Sequence, residues 1–220
     1  MVIGLLTIAS IPTVIGVCEG VSEQKKANKR ESDEKRLEKF YIDVFCEANF
    51  EEAEQLHGQR VVLRDNKVYL DSPTVSSRSI PSHTAEAFYI SYPDDAREPT
   101  LGLVSTVSVD PPMLNWIYVD KNTFELKYGN RTQSREHLVG PWDWTEDQVG
   151  VTLQDIEGFV AVEEAEEVWA VYFDERGDGL GSGVGKKNRV VEISLERRLL
   201  KPKEELGEKE EVKEEKENEG

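Results

Sequence analysis

A chain of 220 residues with a formal net charge of -17, from 27 basic against 44 acidic side chains, is a poor nucleic-acid ligand. Phosphate binding draws on Lys/Arg neutralisation and counterion release, and a net anion is repelled without a strong basic patch. Two cysteines, Cys18 and Cys46, make no disulfide framework, and His57, His83 and His137 are too scattered for a structural zinc site.

The hydrophobic fraction of 38% and the charged fraction of 32% are skewed by two segments, 22–39 and the tail after Lys201. Between them the composition is that of an ordinary globular domain. Four parts are expected: an apolar N-terminal segment over 1–21, a charged exposed helix over 22–39, an antiparallel β domain over 40–200, and a disordered Glu/Lys tail over 201–220.

The run from Met1 to Cys18 is interrupted only by small residues and by Thr7, Ser10, Pro12 and Thr13. Three readings compete. A signal peptide fits the length but lacks a basic start. A membrane anchor fits the apolar run, with Lys25, Lys26, Lys29 and Arg30 holding the following chain in the cytoplasm. A segment docked on the protein's own core or on a membrane surface fits Gly4, Pro12 and Gly16, which weaken a continuous helix. Val17 before Cys18 excludes a lipoprotein signal, and Val2 excludes N-myristoylation. The expected location is intracellular and cytoplasmic, membrane-associated if 1–18 touch a bilayer; secretion is the alternative.

Ser22 to Lys39 has no apolar stripe but alternating charge and strong helix formers, so its basic residues read as a solvated face with ion pairs one turn apart. Phe40 to Cys46 is a strand, rich in aromatic and β-branched residues. A polar link or helical turn follows over Glu47 to Gly58. Arg60 to Asp71 is a hairpin turning at Asp65-Asn66, residue types that tolerate positive φ. Ser72 to Thr84 is a loop, and Ala87 to Tyr92 a strand stopped by Pro93-Asp94-Asp95. Thr100 to Val109 is the next strand, ended by Pro111-Pro112.

Asp110 to Thr145 carries Trp116, Trp142 and Trp144, three of the four tryptophans. Leu114, Trp116 and Tyr118 alternate with Asn115, Ile117 and Val119, and after a turn Phe124, Leu126 and Tyr128 alternate with Glu125 and Lys127. The outgoing strand, apolar on both faces, is expected inside the sheet. Pairing of Trp116 or Tyr118 with Phe124 or Leu126 would add ~0.5–1 kcal/mol each. Further strands follow at 150–153, 158–162, 168–173 and 190–195, with a glycine-rich hairpin loop between the last two. The class is mainly β: a single antiparallel β-barrel or two-sheet β-sandwich of about nine to ten short strands.

Chemistry is sparse. The glycine-rich loop ends in Lys186-Lys187, but Leu180 and Lys187 stand where a phosphate-binding loop needs Gly and Ser/Thr. Asp174, Asp178 and Gly179 fit a calcium loop; Arg176 and Gly185 do not. Ser134, His137 and Asp143 can be written as a triad, but no nucleophile elbow accompanies them. Asp94, Asp95 and Glu98 are better explained by turn formation. Asn130-Arg131-Thr132 is a glycosylation sequon, relevant only to a secreted chain. The best ligand candidate is Trp142-Asp143-Trp144, which with Trp116 and Tyr118 could line a site, although sealing the core explains the tryptophans better.

Leu101-Gly102-Leu103-Val104-Ser105, Asp110 to Asp120, Tyr128-Gly129-Asn130-Arg131 and Gly140 to Thr145 resemble stretches of a family of uncharacterised proteins of filamentous fungi. The resemblance covers most of the length, including the apolar start followed by Gln24-Lys25-Lys26. It implies a fungal source, carries no known activity and no site residue, and weighs against a signal peptide. The sequence by itself does not reveal a biochemical function. The expectation is a non-enzymatic binding module for a protein partner, without cofactor, metal or nucleic acid. The alternatives are a small-ligand binder, for lipid or carbohydrate, and a hydrolase.

Overall fold

The computed structural model describes residues 30–47, 51–78, 80–109, 112–181 and 188–200. The segments 1–21 and 201–220 lie outside the described residues. Among those described, no helix is long and apolar enough to cross a membrane. The chain divides into two units, one ending at Leu37 and one beginning at Glu38. In the first, helix α1 covers 30–37, and Lys35 pairs with Glu31 one turn back at 2.9 Å, the spacing at which helical side chains meet.

The second unit is built from three successive groups of four strands. The first group is β1 (Phe40–Phe45), β2 (Arg60–Arg64), β3 (Lys67–Asp71) and, after the two-residue β4 (His83–Thr84), β5 (Glu86–Ser91). The second is β6 (Leu101–Val109), β7 (Pro112–Val119), β8 (Leu126–Gly129) and β9 (Trp142–Trp144). The third is β10 (Val151–Leu153), β11 (Phe159–Ala165), β12 (Val168–Phe173) and β13 (Val190–Leu199). Two short helices, α2 (Glu51–Leu56) and α3 (Arg131–Ser134), fill connections.

In each group the two middle strands form a hairpin: β2–β3, β7–β8 and β11–β12. The outer strands form a closed ring. β1 pairs with β5, β5 with β6, β9 with β10, and β13 with β1. Gly150, just before β10, bridges Glu196 of β13, and β6 packs directly on β9. There, a Cβ on Gly140 would collide with the carbonyl of Leu101, so the approach needs glycine.

The three hairpins meet one another. Lys67 pairs with Lys127, Trp169 with Leu70, and Glu125 bridges Tyr172. Alternation along β1 buries Phe40, Ile42 and Val44 in a core shared with Tyr89, Trp142, Phe159 and Phe173. Each large apolar side chain buried in this way contributes roughly 1.5–3 kcal/mol.

The runs expected as strands are strands, except that the return strand β8 begins at Leu126 and leaves Phe124 in the turn, and Asp65 and Asn66 turn at φ of 50° and 60°. Four further features differ from the sequence reading. β4 and β9 are additional, too short to show a period. The loop after β3 includes a 3-10 turn, Val75–Ser77, and Arg78 donates to the carbonyls of Ser72 (2.8 Å) and Ser82 (3.1 Å) and to Oγ1 of Thr84 (2.8 Å). The glycine-rich connection is not a hairpin loop, because β11 lies between β12 and β13.

The fourth is a register. β7 does lie between β6 and β8, but Trp116 faces Gly129 and Tyr118 faces Lys127, so the expected aromatic cross-strand pairs do not form. Trp116 packs instead on Gly102, where a Cβ would stand 2.5 Å from its ring.

Candidate functional site

The turn between β7 and β8 is held by Asp120. Its carbonyl accepts from the amide of Phe124 (2.8 Å), its amide donates to the carbonyl of Glu125 (2.9 Å), and its carboxylate accepts from the amide of Asn122 at 3.0 Å. This geometry forces Phe124 to φ +62°, a conformation costly for an aromatic L-residue. The carbonyl of Phe124 accepts from the amide of Phe173 at 2.9 Å, fixing the turn to β12. Phe124 is left 41% exposed.

Facing it is the start of the connection after β12. Oδ2 of Asp174 accepts from the amide of Gly179 at 2.7 Å. Leu180 sits at φ +62° and packs beside Val160, Val162 and Tyr172. Between turn and connection lies an open cleft of about 580 Å³, lined by Phe124, Tyr172, Phe173 and Leu180 with polar groups at its edge. Two strained apolar residues thus border one cleft, a coincidence of the kind that marks binding surfaces. Among the described residues its lining carries four carboxylates, Glu125, Asp174, Glu175 and Asp178, and one cation, Arg176.

Beside the cleft, and sharing Glu125 and Tyr172 with it, is a polar network where the three hairpins join. Nζ of Lys67 lies 2.7 Å from Glu125 and 3.2 Å from the Tyr172 hydroxyl, and also contacts Glu164. Tyr172 donates to Glu164 at 2.6 Å. Lys127 reaches Asp120 (2.9 Å) and Glu125 (3.0 Å). Burial would raise the carboxyls of Asp120 and Glu125, but the lysine hydrogen bonds outweigh it and hold each at about 2. Burial and the neighbouring carboxylates push the Tyr172 phenol well above its ordinary range. Asp120 and Glu125 are therefore charged at neutral pH, while the Tyr172 phenol keeps its proton.

The five residues singled out from sequence fall into two places. Trp142 is fully buried, stacked on Phe159 with centroids 6.0 Å apart. Trp144 is half-buried between Tyr89 (5.6 Å, edge-on) and the guanidinium of Arg197 at 4.3 Å. Asp143 lies between them, and its carboxylate accepts from the amide of Trp144 at 3.0 Å. Trp116 and Tyr118 belong to a separate cluster with Tyr92 and Val139. None of the five lines the cleft.

Ser134, His137 and Asp143 go to different partners. Oγ of Ser134 is 2.9 Å from the Tyr92 hydroxyl, and His137 stacks on Tyr118 and accepts from the amide of Lys121 at 3.3 Å. Asn130 caps α3 by accepting from the amide of Gln133 at 3.1 Å. Among the described residues, no group of three or more His, Cys, Asp or Glu could hold a metal ion. Sequence reading missed Phe124 because it continues an alternating apolar pattern and reads as a strand residue. Its one usable signal was the preceding Asp-Lys-Asn-Thr turn.

A family model described as a fungal beta-trefoil domain matches residues 16–201. Neither the curated proteins nor the solved structures include one that matches.

Proposed function

The chain belongs to the fungal β-trefoil domain family, and from that premise we propose that it is a binding module whose ligand seat is the cleft beside Phe124. A ring closed by three hairpins gives a rigid frame, and such frames carry ligands on the connections between strands. The observation that carries the reading is Phe124 itself: an aromatic side chain held at positive φ, exposed, and facing a cleft of ligand size. A ring that packing alone governed would turn inward.

The cleft's chemistry selects its occupant. Apolar contact comes from Phe124 and Leu180, while the carboxylates favour hydrogen-bond donors and cations. The best match is a protein segment presenting an apolar side chain next to Lys or Arg. A carbohydrate is the second reading, because an exposed aromatic face beside carboxylate acceptors also suits a sugar's CH face and hydroxyls.

Peptide-display selection and a glycan array, both run on the full chain, separate the two. Selected peptides are expected to combine a basic and an apolar residue, and to lose at least about tenfold in affinity on Phe124→Ala. Glycan binding with the same sensitivity would favour the second reading. Binders indifferent to Phe124→Ala would refute the cleft.

A further inference from the structure

Three arginines converge on one buried carboxylate, at a place that shares no residue with the cleft. Asp94, with its side chain 4% exposed, stands in the turn after β5. Nε of Arg97 lies 3.1 Å and Nε of Arg135 3.4 Å from its Oδ2, and Nη2 of Arg131 lies 4.0 Å from its Oδ1.

The cluster is well supported. The amide of Ala96 donates to Oδ1 of Asp94 at 3.2 Å. Arg97 spans the gap to α3 by donating also to the carbonyl of Arg135, over the ring of Tyr92 at 5.4 Å. The Tyr92 hydroxyl donates to the carbonyl of Arg131 at 3.3 Å and lies 2.9 Å from Oγ of Ser134. The Ala96 amide, against the opposing pull of burial and together with Arg135 and Arg97, holds the Asp94 carboxyl below its ordinary value. It is charged at neutral pH.

One carboxylate balances one guanidinium. Among the described residues, none of the three arginines has another ion-pair partner within 4.0 Å; Asp95, Glu98 and Glu136, their neighbours in sequence, pair with none of them. Arg97 is the arginine that hydrogen-bonds to both Asp94 and the backbone at the end of α3. Arg131 and Arg135 are 50% and 49% exposed, and among the described residues their terminal nitrogens have no hydrogen-bond acceptor. On a chain of charge -17, two adjacent uncompensated guanidiniums need an explanation that the fold does not supply.

We propose that Arg131 and Arg135 form an oxoanion site for a phosphate or sulfate group, with Asp94 and Arg97 positioning the two guanidiniums. Asp94 meets Arg135 at Nε and Arg131 at Nη2, the latter beyond hydrogen-bond distance, which leaves the Nη groups of Arg135 and the Nε and Nη1 groups of Arg131 to grip the oxygens of a tetrahedral anion. Forked, charge-assisted contacts of this kind are what guanidinium offers and ammonium does not.

The test is a titration of the full chain with sodium phosphate and, separately, sodium sulfate, with chloride holding the ionic strength. The arginine Nε–Hε signals are followed by NMR. Saturable shifts at Arg131 and Arg135 are expected, and whichever oxoanion produces them names the source. Arg131→Gln and Arg135→Gln, half-exposed and outside the core, should fold normally and each weaken binding about tenfold. The proposal fails if neither oxoanion gives a saturable shift, if chloride gives the same one, or if both variants bind as the parent does.

Discussion

Nζ of Lys67 lies 2.7 Å from Oε1 of Glu125, tying the first hairpin to the second where the third also arrives through Tyr172 and Glu164. Side chains distant in sequence thus share one charge centre, and its loss reaches all three hairpins at once. Lys67 is 12% and Glu125 19% exposed, so Lys67→Met strands carboxylates with little access to water. A loss of about 2–3 kcal/mol is expected in urea denaturation. Lys39→Met removes an exposed 3.5 Å pair with Glu86 and should cost less than about 1 kcal/mol. Equal losses from the two variants would contradict this account.

The same centre sets the response to acid. Asp120 and Glu125 sit at about 2, below their ordinary 3.8 and 4.5, because lysine hydrogen bonds overcome burial. A carboxyl depressed by folding stabilises the native state above its unfolded value, and that contribution disappears as pH falls through its folded value. Stability should therefore hold from neutrality to about pH 5 and decline between about 4.5 and 2. Denaturation midpoints across this range check it. Lys127→Met, which removes a tie to both carboxylates, should make the decline shallower.

Phe124 offers a separation of stability from binding. Glycine adopts φ +62° without a Cβ clash, so Phe124→Gly should leave stability unchanged or raise it by up to about 1 kcal/mol. The same variant should lose the ligand. Thermal unfolding and affinity are the two measurements, and a clear fall in stability would mean that the ring contributes to packing rather than recognition.

Trp142 should behave as core. Trp142→Ala is expected to cost about 3–5 kcal/mol. Its indole nitrogen is buried and has no hydrogen-bond partner among the described residues, so Trp142→Phe is expected to lose volume but no hydrogen bond and should cost clearly less than the alanine variant. Measured side by side in urea, equal losses would point to an unseen partner for that nitrogen.

The strands were legible because their alternation is local: Phe40, Ile42 and Val44 announce β1 without reference to anything else. The turn at Asp65-Asn66 was legible for the same reason. The threefold grouping was not, since the three hairpins share a pairing scheme rather than residues: β2 reads RVVLR, β7 PMLNWIYV and β11 FVAVEEA. Register was equally hidden. Trp116 opposite Gly129 follows from where the Asp120 turn closes, and aromatic content is silent on that. The cleft escaped because Phe124 has strand-like chemistry in a turn, and because Leu180 comes to the same cleft from another connection.

β1 and β13 run antiparallel from Phe40 opposite Leu199 to Phe45 opposite Ser194, and the amide of Leu200 donates to the carbonyl of Lys39 at 2.9 Å. Tension applied at 39 and 200 would load this seam one hydrogen bond at a time, as a zipper opens, rather than all six residue pairs in shear. The seam is where the ring yields first under force. Because entry and exit points are neighbours, the domain could also be spliced into a surface loop of another protein without stretching its host.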